Sequence, residues 1–361
     1  MARLDIARQR LHRQHLFVPT LERAEDLVRW LGAVQAQDFT AAKWAVGQRT
    51  AGLTEAAIDQ AFDEGRLLRT HLLRPTWHFV VPADLRWMLA LSAPRVLSLM
   101  AYYDRQLGLT RQVLARSRAI LTRTLRKGRQ LTRAELAPAL RPTGVAVDHS
   151  QTMGHLLMHA ELDGIICSGA RRGKQHTYAL LDGRAESTRA VDRDEALAEL
   201  ARRYFASRGP ATLKDYAWWS GLGAEDARAG LESTKSELVQ ETVRGQVYWR
   251  SMAEPQPRGT GRVRGAYLLP GFDEYLVAYA DRSAVWDARH AGQLDSRGQL
   301  LATNTLCIDG QIVGSWKRLL KARVVMIEMH PWRPLAKSEK ADLAAAAERY
   351  GTYLGKSVLL S

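Results

Sequence analysis

The chain has 361 residues, 46% hydrophobic and 25% charged, a composition that excludes a disordered protein and a length that favours two or three domains over a single core. No apolar run approaches the ~18 residues of a membrane span, and the basic N-terminus MARLDIARQRLHRQHLF lacks the apolar stretch and small-residue cleavage site of a secretory signal, so a cytoplasmic, nucleoid-associated protein is expected. A net charge of +14, carried mostly by arginine, points to a polyanionic partner, and two cysteines, Cys167 and Cys307, are too few for a disulfide framework or a cysteine-type zinc site.

Apolar spacing predicts helices over 20–30 and 54–62, then strands over 67–72 and 76–81 around an Arg74-Pro75 turn. Helical spacing returns over 117–127. Thr132-Arg133-Ala134-Glu135 reads as a capping box opening a helix to Leu140, and 151–163 gives a further helix stopped by Gly164. Strands over 165–168 and 176–181 follow, joined by a basic, glycine-containing turn. Helices over 194–207, 213–219 and 224–233 then precede strands over 238–242 and 246–250 about Arg244-Gly245. Helices followed by a strand pair is the order of a winged helix, and three such units in tandem are expected over 1–100, 101–188 and 189–255, repeating an architecture rather than a sequence. The Pro/Gly/Arg-rich stretch 254–265 reads as a linker. Beyond it, strands over 266–269, 275–279, 301–308, 311–316 and 324–329, a hairpin at Asp309-Gly310 and a closing helix over 337–350 predict a small β-rich domain within 256–361. The expected fold class is α+β.

Charge is uneven along this layout. From Arg105 to Glu135 the segment is strongly basic, with Glu135 its only acid, and local clustering agrees with overall charge in favouring nucleic acid. Arg171, Arg172 and Lys174, on a turn that carries no acid of its own, are the expected phosphate contacts, and Arg258, Arg262 and Arg264 form a second basic patch. Arg74, Trp77 and His78 offer a cation, an aromatic plane and an imidazole to a distorted duplex, unless the last two simply pack in their strand pair. His155 and His159 have the i, i+4 spacing of zinc ligands but no third ligand, so neither a metal nor a cofactor is expected. Asp273 and Glu274, adjacent in a predicted strand, would face opposite sides and read as structural, as Trp218-Trp219 reads as core.

Gln35-Ala36-Gln37 carries the chemistry. A glutamine cannot serve as a general base near neutral pH, yet its amide has two donors and a carbonyl and can hold a water in a chosen orientation. That suffices where the substrate arrives activated, as does guanine alkylated at N7, whose positive charge weakens its glycosidic bond. Residues at i, i+2 point the same way only in extended backbone, so joint action by Gln35 and Gln37 requires this segment to leave helical geometry. Asp38 follows immediately, and a backbone path shifted by one residue would present its carboxylate instead.

Taken with Arg74-Pro75-Thr76-Trp77-His78, His176-Thr177-Tyr178-Ala179-Leu180-Leu181, Leu269-Pro270-Gly271-Phe272-Asp273-Glu274-Tyr275-Leu276, Asp281-Arg282 and the segment from Asp309 to Trp316, the motif makes nearly the whole chain resemble the AlkZ/YcaQ-type winged-helix DNA glycosylases. The resemblance implies three tandem winged-helix domains followed by a C-terminal β-barrel, C-shaped around a DNA channel. It also implies a monofunctional enzyme that removes N7-alkylated purines, here expected to act on double-stranded DNA as a monomer, although composition leaves the oligomeric state open. In that family the catalytic motif is Gln, an apolar residue, then Gln or Asp. Gln35 and Gln37 match the Gln branch, associated with bulky guanine adducts and crosslinks from natural-product genotoxins and hence with self-resistance. A transcription regulator with tandem winged helices would explain charge and fold but not the glutamines. A bifunctional lyase would need a nucleophilic amine, for which Lys43 is the only lysine near the motif.

Overall fold

A computed structural model describes residues 3–185, 191–252, 265–294 and 299–361; Arg258, Arg262 and Arg264 and nearly all of the expected linker lie outside the described residues. The first group of elements is α1 (Arg3–Arg13), α2 (Ala24–Leu31), β1 (Val34–Gln35), α3 (Phe39–Gly47), α4 (Glu55–Asp63), β2 (Leu68–Leu72) and β3 (Arg74–Val80), with the strands in the order β1-β3-β2. The β2–β3 turn is tighter than the sequence suggests. Leu73 alone makes it, at φ +61°, so Arg74 and Pro75 begin the strand instead of forming the turn. Proline is tolerated there because β1 pairs only with His78 and Phe79, and β2 carries an irregularity between His71 and Leu72, so no partner needs an N–H at position 75.

The second group comprises α5 (Pro82–Gln106), α6 (Arg111–Thr124), β4 (Leu131–Thr132), α7 (Arg133–Leu140), α8 (Ser150–Leu162), β5 (Ile166–Ser168) and β6 (Thr177–Leu180), its strands ordered β4-β6-β5. Pro82 opens α5 at a position where its missing N–H costs nothing. The capping box at α7 is present: Glu135 N donates to Thr132 Oγ1 at 3.3 Å and Thr132 N to Glu135 Oε2 at 2.8 Å. The third group is α9 (Arg193–Arg208), α10 (Leu213–Ser220), α11 (Ala224–Thr234), β7 (Leu238–Val243) and β8 (Gln246–Ser251).

Last come β9 (Ala266–Leu269), α12 (Glu274–Val277), β10 (Thr305–Ile308), β11 (Gln311–Leu320), β12 (Val324–Pro331), α13 (Lys337–Leu354) and β13 (Ser357–Leu360). Their sheet runs β13-β12-β11-β10-β9, and among the described residues its two edge strands are not joined, so it is a curled half-barrel rather than the closed barrel expected. The expected strand over 275–279 is the short helix α12, capped by the Asp273 carboxylate, which accepts from Tyr275 N at 2.8 Å. A buried apolar run that short has no periodicity to separate the two forms.

The first sheet is held between two cores, which is what positions the site. Val34 and Phe79, cross-strand partners, pack into a core shared with Leu268 and Val325 of the half-barrel and Tyr350 of α13. Leu72 and Val80 pack instead with Leu85 and Met88 of α5 and Tyr204 and Trp219 of the third group. Burying each such side chain stabilises by about 1.5–3 kcal/mol, so the sheet resists tilting either way. The helix α1 ties the same groups together, with Arg10 Nε donating to Pro210 O at 3.0 Å and Arg13 Nη2 to Ser251 O at 3.2 Å. The α6–α8 region keeps a core of its own around Leu121, Leu136, Leu156 and Ile166.

Candidate active site

Val34 and Gln35 pair with Phe79 and His78 and Ala36 N donates to Trp77 O at 2.7 Å, after which the chain bends at Gln37 and Asp38 and turns helical at Phe39, so the segment is not helical although only its first part is strand. Asp38 has another task. It is the N-cap of α3, its carboxylate accepting from Thr40 N at 2.9 Å and Ala41 N at 3.0 Å and so satisfying donors that the helix leaves over.

Both glutamine side chains are held by their carbonyls. Gln35 Oε1 accepts from Arg74 Nη2 at 2.8 Å, and Gln37 Oε1 accepts from Trp77 N at 3.3 Å. Each amide therefore keeps one carbonyl lone pair and an NH2 group that has no partner among the described residues. Gln35 is 8% exposed, whereas Gln37 stands in solvent, so the pair straddles the rim of the core. Arg69 steadies the backbone between them, its Nε donating to Ala36 O at 2.9 Å.

The main-chain N–H of Gln35 donates to Glu274 Oε1 at 2.8 Å across the molecule. Glu274 is fully buried, and its other oxygen accepts from Arg208 Nη2 at 2.6 Å and Trp219 Nε1 at 3.2 Å. Arg208 also donates to Leu31 O and Ala33 O, just upstream of the glutamines. A buried ion pair is tolerable when its remaining hydrogen-bonding capacity is met, as it is here. Asp273 forms the neighbouring buried pair with Arg49, at 2.6 Å. Both acids are thus structural, though they sit at a helix start rather than in a strand.

An arginine–tryptophan cluster flanks each glutamine. On the Gln35 side, Arg74 donates to Trp218 O at 3.4 Å, and the Trp218 ring, 45% exposed, lies 5.5 Å from the Arg282 guanidinium. Burial brings the Arg74 guanidinium down to about 10. Trp219 is core, as expected, but Trp218 is not, because neighbours on α10 are rotated by about 100° and face different surroundings. On the Gln37 side, the Trp77 indole lies 4.4 Å from the Arg69 guanidinium and 5.7 Å from that of Arg133. Arg69, Trp77, Arg133, Gln175, His176 and Tyr178 line a pocket of about 440 Å³ there. Burial, helped by Arg69, Arg171 and Arg133, lowers His176 to about 4, so its imidazole is neutral at pH 7.

Several expected contacts are placed elsewhere. His78 is fully buried on the opposite face of β3 from Trp77, with Nδ1 3.0 Å from Thr76 O, and burial pushes it well below the usual histidine range; it cannot reach DNA. The turn bearing Arg171 and Arg172 carries no acid, but other elements supply them: Arg171 pairs with Asp59 at 3.4 Å and Arg172 with Glu135 at 2.7 Å. Lys174 is exposed, with no partner among the described residues. Lys43 is 3% exposed and pairs with Glu55 at 2.9 Å and Asp59 at 2.8 Å, so it is no nucleophile for a lyase. His155 and His159 share Asp104, at 2.8 and 2.9 Å; burial alone would raise that acid, but the two hydrogen bonds outweigh it and hold it at about 2. Arg69 and Arg208 escaped the sequence reading, and Arg133, Trp218 and Glu274 entered it only as part of a basic segment, as core and as structural, not as neighbours of the glutamines. For Arg69 the i, i+2 alternation with His71, which pairs with Trp77, was the one available hint.

Two amides at the rim of the core, each beside an arginine–tryptophan cluster, make a site suited to nucleic acid. A family model described as DNA glycosylase AlkZ-like matches residues 28–353, and the chain belongs to the AlkZ-like DNA glycosylases. It is 26% identical over 319 residues, 85% of each chain, to an interstrand DNA cross-link repair glycosylase of Streptomyces sahachiroi. The solved structure of the Streptomyces sahachiroi DNA glycosylase AlkZ matches the whole of both chains with a TM-score of 0.81 at 22% identity, which establishes the shared fold.

Proposed function

We propose that the protein is a monofunctional glycosylase that hydrolyses the N-glycosidic bond of N7-alkylated guanine in double-stranded DNA, with bulky adducts and interstrand crosslinks among its substrates. The observation that carries this is the glutamine pair itself. A water accepting from the Gln35 NH2 and donating to the remaining lone pair of the Gln37 carbonyl keeps its own lone pair for the anomeric carbon. Arg74 on the Gln35 carbonyl draws electron density from that amide and strengthens its NH2 as a donor. As the water oxygen bonds to the anomeric carbon, the glycosidic C–N bond breaks, the alkylated base leaves neutral and the water's surplus proton passes to solvent, so no acid is required, and none competes: Asp38 caps a helix and Glu274 is sealed in the core. An open rim suits large lesions better than a closed base pocket, and the name of the Streptomyces sahachiroi relative points the same way. The three helix-and-strand groups are assigned as tandem winged helices that face DNA as a monomer, with Arg74, Trp77, Trp218 and Lys174 as contacts and the basic segment around Arg258, Arg262 and Arg264 as a further phosphate-binding element.

The test is release of N7-methylguanine from methylated duplex. Gln35→Ala and Gln37→Ala are each expected to lose on the order of 100-fold in single-turnover rate while DNA affinity changes only a few fold. Undiminished excision by the double variant refutes the assignment.

A further inference from the structure

We propose that Arg69 and Arg133, which both lie against Trp77, form a clamp for one DNA backbone phosphate beside the target nucleotide. The inference rests on the glycosylase reading only in placing that nucleotide at Gln37.

Counter-charge is the first argument. Among the described residues neither guanidinium has an ion-pair partner: Arg69 donates to the Ala36 and Gln37 carbonyls, and Arg133 to Tyr178 Oη at 3.1 Å. The acids around them are already engaged. Glu161 is held by His71, Glu135 by Arg172 and Thr132, and Asp38 by the N–H groups it caps. Two cations brought this close without an anion between them is an arrangement that a ligand completes.

Space and shape form the second. The pocket of about 440 Å³ has no acid in its lining, and the Arg69 guanidinium, half-buried and laid on the indole, presents a fork already oriented. That geometry matches a phosphodiester's paired oxygens. Location supplies the third: Arg69 Nη2 reaches Gln37 O at 3.4 Å, and Trp77 N holds the Gln37 side chain. Unneutralised cations here would oppose the positive charge that develops on the sugar. A phosphate seated between them removes that opposition and fixes the sugar over the amides.

The experiment is a methylphosphonate scan, replacing one phosphate at a time by a neutral group in a duplex that carries an uncleavable tetrahydrofuran site. Wild type is expected to lose about tenfold in affinity at one position adjoining the tetrahydrofuran. Arg133→Gln should bind the all-phosphate duplex about as weakly, lose sensitivity at that position alone, and show a salt slope reduced by about one. Tyr178→Phe, which removes the one side-chain hydrogen-bond partner that Arg133 has among the described residues, should keep the wild-type scan, and Arg133→Lys should recover part of it. A wild-type scan that is flat around the site, or an Arg133→Gln defect of equal size at every position, overturns the clamp. Because binding is the readout, a chain that releases no N7-methylguanine still tests the clamp, and an active chain with a flat scan overturns the clamp alone.

Discussion

Replacing Glu274 with glutamine should damage fold and chemistry together, by separable amounts. The carboxylate is fully buried and serves Gln35 N at 2.8 Å, Arg208 at 2.6 and 3.1 Å, and Trp219 at 3.2 Å. Glutamine keeps the shape but has one oxygen. If that oxygen serves the Gln35 N–H, the new NH2 meets the Arg208 guanidinium and leaves a buried cation without its counter-charge. Breaking such a pair costs about 3–5 kcal/mol. At roughly 2–4 °C per kcal/mol for chains approaching this size, the thermal midpoint should fall by about 6–20 °C. A shift of Gln35 on the order of 1 Å would cost about 100-fold in excision. Thermal unfolding and single-turnover release of N7-methylguanine measure the two effects. Combining Glu274→Gln with Arg208→Gln removes both charges and should cost about 1–3 kcal/mol less than the two single changes added. Strict additivity, or a Glu274→Gln variant with the wild-type midpoint and rate, would show that the pair does not hold the motif.

Asp38→Ala should lower stability by about 1 kcal/mol through loss of the α3 cap while leaving the excision rate within about twofold; a hundredfold loss would instead make Asp38 the reacting group. Gly221 has φ +67°, and a Cβ there would meet Leu73 O at 2.1 Å, so Gly221→Ala should cost about 2 kcal/mol or more and disturb the turn that carries Arg74. Urea unfolding checks the cost, and a wild-type midpoint would contradict the close approach. The fold holds His12, His15, His78 and His176 below their usual range, all through burial first. Between pH 6.5 and about 4 the unfolded chain therefore binds protons that the folded chain refuses, and stability should fall as pH falls. Below that, Asp104, Glu135 and Glu339, each held at about 2, add their own loss. Midpoints from pH 7.5 to 5 should decline, less steeply for His176→Gln; a flat profile would contradict the burial of these imidazoles.

What could be read from the sequence was what is local. The helices α7, α8 and α10 announced themselves through apolar spacing, the capping box at Thr132 and the stop at Gly164. That Gln35-Ala36-Gln37 leaves helical geometry was expected because joint action by two amides would require it; the chain is strand at Gln35 and bends at Gln37. By contrast α1 is rich in arginines that are buried because they donate to carbonyls near residues 205–251, a pairing no local pattern reveals. The helix α3 is buried along nearly its whole length, so it has no polar face to set a period. The basic turn looked unopposed because Asp59 and Glu135 reach Arg171 and Arg172 from other elements. Closure of a barrel depends on whether the first and last strands meet, which the strands do not encode one by one.

The hydrogen bond from Gln35 to Glu274 also sets a timetable. During synthesis the amide pair emerges early, while the carboxylate that pins it, and that is itself pinned by Arg208, is added only after most of the chain has left the ribosome. An interrupted product carries the cationic surface and the amide pair without the carboxylate that fixes Gln35, so the segment gains its support late. For the same reason the glutamines do not belong to a portable module: transplanting the first 100 residues would move the motif and leave its support behind.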